Sequence, residues 1–457
     1  MEPSIKKFVI NGLFGCKKVE LNFAERAQIY VGENGIGKTT ILNIIYYVLS
    51  CDFEKLKNIE FESIEVSFIN DSVSFTKNRI VEYLKFSSRH RSKIVSYLYD
   101  TLSSEQLDKI KEIYGSNESI SAKNSKFIKI LGPSLRFKMR DYDHDLLVLI
   151  ESLVNSPVEK IEDIKKKIKD NVRSKILYFP TYRRIEEDLK NLGLSDDFEN
   201  RRMPSRLFYD DHNDDQNRND HSLIQFGMKD VEKRIENIKG EISKLSISGF
   251  SKVTGGMLKR LLVKSDISNI ESINIDNIKI ILERVGDNID EHDKKKIIEY
   301  MENDELNKYE NVQLVYFLQS LLEIYKSQEL YDVAIKNFKD VCNGYLNDKQ
   351  YQYDESVIDL KIIRNKDGRE VELAQLSSGE KQIVSLFSKI YLEPNDKFIV
   401  LFDEPELSLS IFWQKKLLPD IIKSERCDFL LAVTHSPFIF ENELNKNTLG
   451  LQECFLE

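Results

Sequence analysis

The sequence predicts an α/β protein in which a parallel sheet with a glycine-rich loop and an antiparallel side sheet are interrupted by a large helical insertion. Three observations point there. An apolar strand, Ala27–Val31, runs through a segment with glycines at 32, 35 and 37 into an apolar helix, Thr39–Leu49. Ser63–Ile69 and Ser72–Lys77 alternate apolar and polar residues around an Asn70-Asp71 turn, the pattern of a hairpin with one wet face. Two further apolar runs, Phe398–Phe402 and Phe429–Val433, lie far down the chain and have the unbroken hydrophobic character of central parallel strands.

Taken in order, short strands Lys6–Ile10 and Val19–Phe23 precede the loop strand, and the hairpin follows its helix. From Ile80 to Arg173 the periodicity is helical, with Leu146–Val154 and Val158–Lys169 as clear segments. An apolar strand, Lys175–Phe179, is then stopped by Pro180. Asn200–Asp220 is polar and reads as a loop. Helical patterns return at Met228–Leu245, Asp276–Arg284, Asp293–Met301 and Val312–Phe338, none long enough for an extended coiled-coil arm. Strands Val357–Arg364 and Glu370–Leu373 flank a Lys366-Asp367-Gly368 turn, and a helix follows from Ser378 to Tyr391. No internal repeat is visible. The expected division is a first half-domain over residues 1–90, a helical insertion and return strand over 91–225, a helical arm domain over 226–350 and a second half-domain over 351–457.

With 67 Lys+Arg against 76 Asp+Glu and a net charge of −9, the chain offers nucleic acid no global polycation, which leaves a local basic patch open. A composition 41% hydrophobic and 31% charged can bury a large core and is too apolar for a mostly disordered chain. Cys16, Cys51, Cys342, Cys427 and Cys454 are scattered without a CxxC pair, so neither a zinc hook nor thiol exchange is expected, and a reducing cytoplasm fits. No apolar stretch approaches the roughly 20 residues that cross a bilayer, and the N-terminus lacks a signal-like apolar core. A soluble, unexported, cytoplasmic protein is expected.

Gly32-Glu33-Asn34-Gly35-Ile36-Gly37-Lys38-Thr39 fits GxxxxGK(S/T) between strand and helix, with Thr40 continuing into the helix. The glycines let backbone N–H groups face inward, the helix N-terminus adds partial positive charge, Lys38 reaches β and γ phosphates, and Thr39 suits Mg²⁺. A phosphate-bearing ligand with Mg²⁺ is therefore expected. Phe398–Phe402 delivers Asp403 and Glu404 at its C-terminal end, where ligands sit in open parallel sheets. Asp403 suits the Mg²⁺ shell, and Glu404 is placed to orient or deprotonate an attacking water. Leu376-Ser377-Ser378-Gly379-Glu380 opens a helix, so Ser377 can cap it while the free N–H groups face an anion.

That last segment resembles the LSGGQ signature of ATP-binding-cassette (ABC) ATPases, with Ser378 for the first glycine and Glu380 for glutamine. His435, in Thr434-His435-Ser436-Pro437, resembles the switch histidine that contacts the γ-phosphate. Pro405-Glu406-Leu407-Ser408-Leu409-Ser410 occupies the D-loop position and departs at Ser410, where an Asp or His would help couple two sites. Together these motifs resemble the RecF/SMC/OLD-like branch over residues 1–80 and 355–457, which implies an ABC-type head. Gln225 is then the candidate Q-loop ligand of Mg²⁺, or an exposed polar residue. Phe14 either stacks on adenine or fills the core; Tyr182-Arg183-Arg184 is either a phosphate or partner contact or a solvated basic turn. The Lys165–Lys169 run reads as the wet face of a helix.

Narrower likenesses lie in Tyr178–Glu186, Leu223–Val231 and Glu406–Gln414, which resemble the ATPase subunit of Septu and retron-associated antiphage systems. The resemblance implies a head-to-tail dimer with ATP sandwiched between loop and signature of two copies. Too little chain follows His435 for the Toprim domain of OLD-type nucleases, so it also implies no nuclease activity of the chain's own and a separate HNH-type nuclease partner, with nucleic acid reached through that complex. A RecF-like repair ATPase without a nuclease partner is the competing reading. A transporter subunit is a third, opposed by the long spacing between loop and signature.

Overall fold

The computed structural model describes residues 4–87, 104–115, 157–180, 228–262, 275–285, 289–303 and 312–456, with a few positions between 123 and 130. The expected segments Leu146–Val154 and Asn200–Asp220, together with Tyr182-Arg183-Arg184 and Gln225, lie outside the described residues. The chain forms two compact units: Met1–Leu223 with Phe398–Leu407 and Asp428–Glu457, and Ile224–Lys397 with Ser408–Cys427.

The first unit begins with β1 (Ile5–Leu13), β2 (Lys17–Asn22), β3 (Ala27–Val31), α1 (Lys38–Leu49), the single turn α2 (Phe53–Leu56), β4 (Ser63–Phe68) and β5 (Ser72–Thr76). It continues with α3 (Lys77–Ser87), α4 (Ser104–Gly115), α5 (Pro157–Asn171) and β6 (Lys175–Phe179). The antiparallel sheet has β2, β1, β4 and β5 side by side, and the β4–β5 turn closes through Phe68 N–H donating to Asp71 O at 2.8 Å. Helix α5 buries Ile161, Ile164 and Ile168 at helical spacing and turns Lys166, Lys167 and Lys169 to solvent.

The parallel sheet carries β3 beside β10 (Cys427–Thr434), then β9 (Phe398–Asp403), then β6, with the short β11 (Thr448–Gly450) on the outer side of β3. Both β11 and β12 (Phe455–Leu456), which pairs with β2, escape sequence reading because two or three residues carry no periodicity. Helix α1 is apolar nearly all round, and its Ile41, Leu42, Ile44, Ile45, Val48 and Leu49 are buried in one core with both sheets. The parallel sheet contributes alternate residues to that core: Ile176 and Tyr178 of β6, Ile399 and Leu401 of β9, Phe429, Leu431 and Val433 of β10.

The second unit holds α6 (Met228–Leu262), α7 (Ile275–Val285), α8 (Glu291–Glu302), α9 (Val312–Asn343), the hairpin β7 (Lys349–Asp354) and β8 (Asp359–Arg364), α10 (Ser378–Tyr391) and α11 (Ile411–Lys423). Here one helix overruns the bound expected for it. Helix α6 has 35 residues and runs past its expected end at Leu245, a length of about 50 Å. Two of its glycines admit a neighbour: a Cβ on Gly249 would stand 2.5 Å from Ile324 of α9, and one on Gly256 would meet Tyr316. Gln328 of α9 donates to Ser246 Oγ at 2.7 Å, and Gly256 lies against Tyr316, so α6 and α9 run antiparallel.

A buried polar node ties these helices to the hairpin. Arg284 pairs with Asp332 at 2.7 Å with both side chains almost fully covered, and donates to Gln328 Oε1 and Glu355 O. Tyr353 of β7 donates to the same Asp332 oxygen. The second correction concerns the strands: Lys349–Asp354 is a strand that sequence reading passes over, and Glu370 makes only an isolated bridge to Ile363 in place of the expected strand Glu370–Leu373. In Lys349–Asp354 only Tyr351 is buried, so a central-strand pattern is missing; after Val371 the chain turns into a short 3₁₀ helix, Leu373–Gln375.

Candidate functional site

Strand order decides which motifs meet. The strand of the glycine loop, β3, and the strand of Asp403, β9, both neighbour β10, whose end carries His435. Three segments remote in sequence therefore converge at one sheet edge. Gly35 and Gly37 take φ of 84° and 106°, and Gly37 leads directly into α1, whose first turn has no acidic residue and no side-chain cap. Its leading N–H groups thus retain donor capacity for an anion. Asn34 is exposed in the loop, and Thr40 is half-buried in the first turn. Gly32 N–H donates to Thr434 O at 3.3 Å, which ties the loop's entry to the end of β10.

The Lys38 ammonium is buried and directs its bonds to Gly32 O at 2.8 Å, Glu33 O at 3.1 Å and His435 Nδ1 at 3.2 Å. Thr39 Oγ1 donates to Asp403 Oδ2 at 2.8 Å. His435 Nε2 lies 3.3 Å from Glu404 Oε1. With Lys38 donating to Nδ1, hydrogen-bond logic assigns the ring proton to Nε2, facing Glu404. Burial raises the Glu404 carboxyl above the usual glutamate range, His435 pulls it back, and Asp403 and Glu406 push it up again. Glu404 also adopts φ of 50°, a left-handed conformation unusual for a side-chain-bearing residue, held by its N–H donating to Val433 O at 2.9 Å.

Two hard oxygen donors, the Thr39 hydroxyl and the Asp403 carboxylate, stand together beneath the loop. Among the described residues no group of three or more His, Cys, Asp and Glu side chains is arranged to hold a metal alone. That donor set fits Mg²⁺, which takes one or two protein oxygens and completes its shell with water and phosphate. Phe14, at φ 54° and 42% exposed, does not fill the core: its ring lies over Gly37, where a Cβ would stand 2.9 Å from Cε2.

The signature-like segment belongs to the second unit. Ser377 caps α10 and shares a capping box with Glu380: Ser377 N–H and Oγ–H donate to Glu380 Oε2, each at 2.8 Å. Lys349 grips the same carboxylate at 2.9 and 3.1 Å. The glutamate in place of glutamine therefore has a partner that sequence reading misses, because Lys349 lies on the overlooked strand β7. Ser378 follows in the first turn, and Gly379 passes closely under α11, where a Cβ would stand 2.9 Å from Ser408 O and 3.1 Å from Trp413. Ser410 accepts from Trp413 N–H at 3.4 Å and so caps α11.

A family model described as "AAA domain, putative AbiEii toxin, Type IV TA system" matches residues 31–441. The chain belongs to that family. It is accordingly an ABC-like ATPase-family protein, a class that binds nucleotide, typically with Mg²⁺. Among solved structures, the SMC head bound to the C-winged helix domain of ScpA is 12% identical, with 98% of this chain and 94% of that one covered, at a TM-score of 0.35. An SMC head with an extended coiled coil bound to the C-terminal domain of ScpA, derived from Pyrococcus furiosus, is 14% identical, with 98% and 93% covered and a TM-score of 0.35. At such scores neither likeness transfers assembly or partners. No curated protein matches the sequence significantly. Among the described residues no helix is long and apolar enough to cross a membrane.

Proposed function

We propose that this chain binds ATP at residues 32–40 and hydrolyses it slowly to ADP and phosphate, using Lys38, Thr39, Asp403, Glu404 and His435. The observation that supports this most is the convergence of Lys38, Glu404 and His435, with Thr39 bonded to Asp403 beside them. Thr39 and Asp403 would hold Mg²⁺, which supplies charge neutralisation on the phosphates; Gln225 is the further proposed ligand. The loop glycines Gly32, Gly35 and Gly37 let the backbone N–H groups approach the phosphates, and Lys38 neutralises them. Glu404, made more basic by burial, takes the proton of the attacking water, and His435 contacts the γ-phosphate from between Lys38 and Glu404.

In this reading Ser377, Ser378, Gly379 and Glu380 of a second copy complete the ATP site head to tail, so nucleotide occupancy sets whether two copies hold together. The chain then serves as the regulatory and scaffold subunit of an antiphage complex with a separate HNH-type nuclease. The resemblance of Tyr178–Glu186 and Glu406–Gln414 to Septu and retron-associated subunits supports this, as does the toxin description of the family. The test is phosphate release and nucleotide binding by the full chain with Lys38→Ala, which should lose both, followed by co-expression with the neighbouring genes. A stoichiometric metal-dependent nuclease is the expected companion. Tight ATP-dependent DNA binding by the chain alone, with no companion, would favour the RecF-like repair reading instead.

A further inference from the structure

Glu406 is nine-tenths covered, lies three residues beyond Asp403, and its carboxylate faces the end of β10. One oxygen accepts from Thr434 Oγ1 at 2.8 Å; the other accepts from the backbone N–H of His435 at 3.1 Å and of Ser436 at 3.2 Å. Ser436 N–H also donates to Thr434 Oγ1 at 2.9 Å, so the turn 434–436 is wrapped around a single carboxylate. A buried carboxylate that accepts several N–H and O–H bonds has little freedom to move without abandoning them.

We propose that Glu406 is a positioning residue for the ATP hydrolysis assigned to this site: it fixes the backbone at 434–436 and thereby aims the His435 imidazole between Lys38 and Glu404. The proposal rests on that functional reading. Its hydrogen bonds run to the turn that carries His435, and through that turn it positions the imidazole. The distances set the demand. His435 places Nδ1 at 3.2 Å from Lys38 and Nε2 at 3.3 Å from Glu404 at once, and a shift of its backbone would disturb both contacts together. Thr434 also passes its carbonyl to Gly32 N–H, so the same carboxylate steadies the entry of the phosphate loop. Glutamine at 406 would preserve most of this. Its oxygen can accept both backbone N–H groups, and its amide can donate to Thr434 Oγ1, reversing that one bond. Alanine removes all three.

The full chain is tested as Glu406→Ala and Glu406→Gln, with ¹⁵N-histidine labelling at fixed pH, a fluorescent ATP analogue for Kd, and phosphate release for kcat. The six histidines allow the His435 resonances to be assigned by their loss in His435→Ala. In Glu406→Ala the His435 ring shifts should move towards the averaged values of a ring without a fixed tautomer. Its kcat should fall about 100-fold while Kd for the analogue changes by less than about threefold, as expected for displacement of a reacting group by an ångström. Glu406→Gln should recover the parental ring shifts and bring kcat back to within about fivefold. Should Glu406→Ala fail to fold, Glu406→Asp replaces it, because its shorter chain cannot reach both ends of the turn, and the same losses are expected. Unchanged His435 shifts and turnover in the alanine variant would overturn the proposal. So would a glutamine variant no better than alanine, or an affinity that falls in step with kcat. Were the parent to show no ATP turnover, the hydrolysis reading would fall, and the His435 shifts of the two variants would still decide the positioning role.

Discussion

Replacing Glu404 by glutamine separates holding ATP from hydrolysing it. The substitution is isosteric, keeps the N–H bond to Val433 O, and leaves an oxygen able to accept from His435 Nε2. The left-handed backbone at φ 50° strains glutamine and glutamate alike. What disappears is one negative charge and the capacity to take a proton. Loss of a positioned general base costs about 10²–10⁴-fold in rate, or ~3–5 kcal/mol on the barrier. Affinity should hold, since Lys38, the loop N–H groups, Thr39 and Asp403 are untouched, and removal of a carboxylate near the phosphates favours binding if anything. The assay is single-turnover phosphate release beside titration of a fluorescent ATP analogue, with size-exclusion chromatography in ATP to follow the expected accumulation of a dimer. In the parent, a raised Glu404 pKa means the base is protonated, and turnover lost, at a higher pH on acidification than for an ordinary glutamate. That acid limb should vanish from the residual activity of the variant. Turnover within threefold of the parent would remove Glu404 from its assigned role, and a large loss of affinity would make it a structural residue.

Three further outcomes follow from the same geometry. Gly37→Ala forces a φ of 106° on a side-chain-bearing residue and drives Cβ against the Phe14 ring; it should destabilise the first unit by about 1–3 kcal/mol and weaken ATP binding at least tenfold, read by denaturant titration and the fluorescent analogue. Arg284→Ala leaves Asp332 charged and covered and should destabilise the second unit by about 3–5 kcal/mol; the single tryptophan, Trp413, lies in that unit and its fluorescence follows the transition. For Glu380, burial acts to raise the pKa, but the bonds from Lys349 and Ser377 outweigh it and hold the carboxyl below its usual value. Its contribution to stability is therefore present above the usual glutamate pKa of about 4.3 and is lost as pH falls through the lower folded value. The stability difference between the parent and Glu380→Gln should shrink on acidification across that window; a difference independent of pH would mean that the charge is not what matters there.

Legibility followed the range of the interactions. Ala27–Val31, Lys175–Phe179 and the helix Ser378–Tyr391 are observed with the bounds that apolar run length, Pro180 and the Ser377 cap imply, since each depends on residues close in sequence. The strand Lys349–Asp354 was not legible, because a hairpin edge with only Tyr351 buried lacks the alternation that marks strands, and its stability comes from pairing with Asp359–Arg364. The full length of Met228–Leu262 was hidden for the opposite reason: Gly249 and Gly256 weaken a helix in isolation and become contacts only when Ile324 and Tyr316 arrive from another helix. The partners of Glu406 and of Glu380 were equally invisible, as both depend on residues brought in by folding.

By itself the chain's order of residues determined the α/β class, the glycine loop that opens an apolar helix, and the supply of an amine, a hydroxyl, two carboxylates and an imidazole at strand and helix ends. Those are matters of local backbone preference and hydrophobic period, which act over a few residues. Only the tertiary structure decided that the strand ending in His435 lies between the other two, so that Lys38 and Glu404 meet across one imidazole while Glu406 grips its backbone. Lateral strand order is set by which apolar faces pack on α1 and by hydrogen-bond ladders between remote segments, and no periodicity along the chain encodes it.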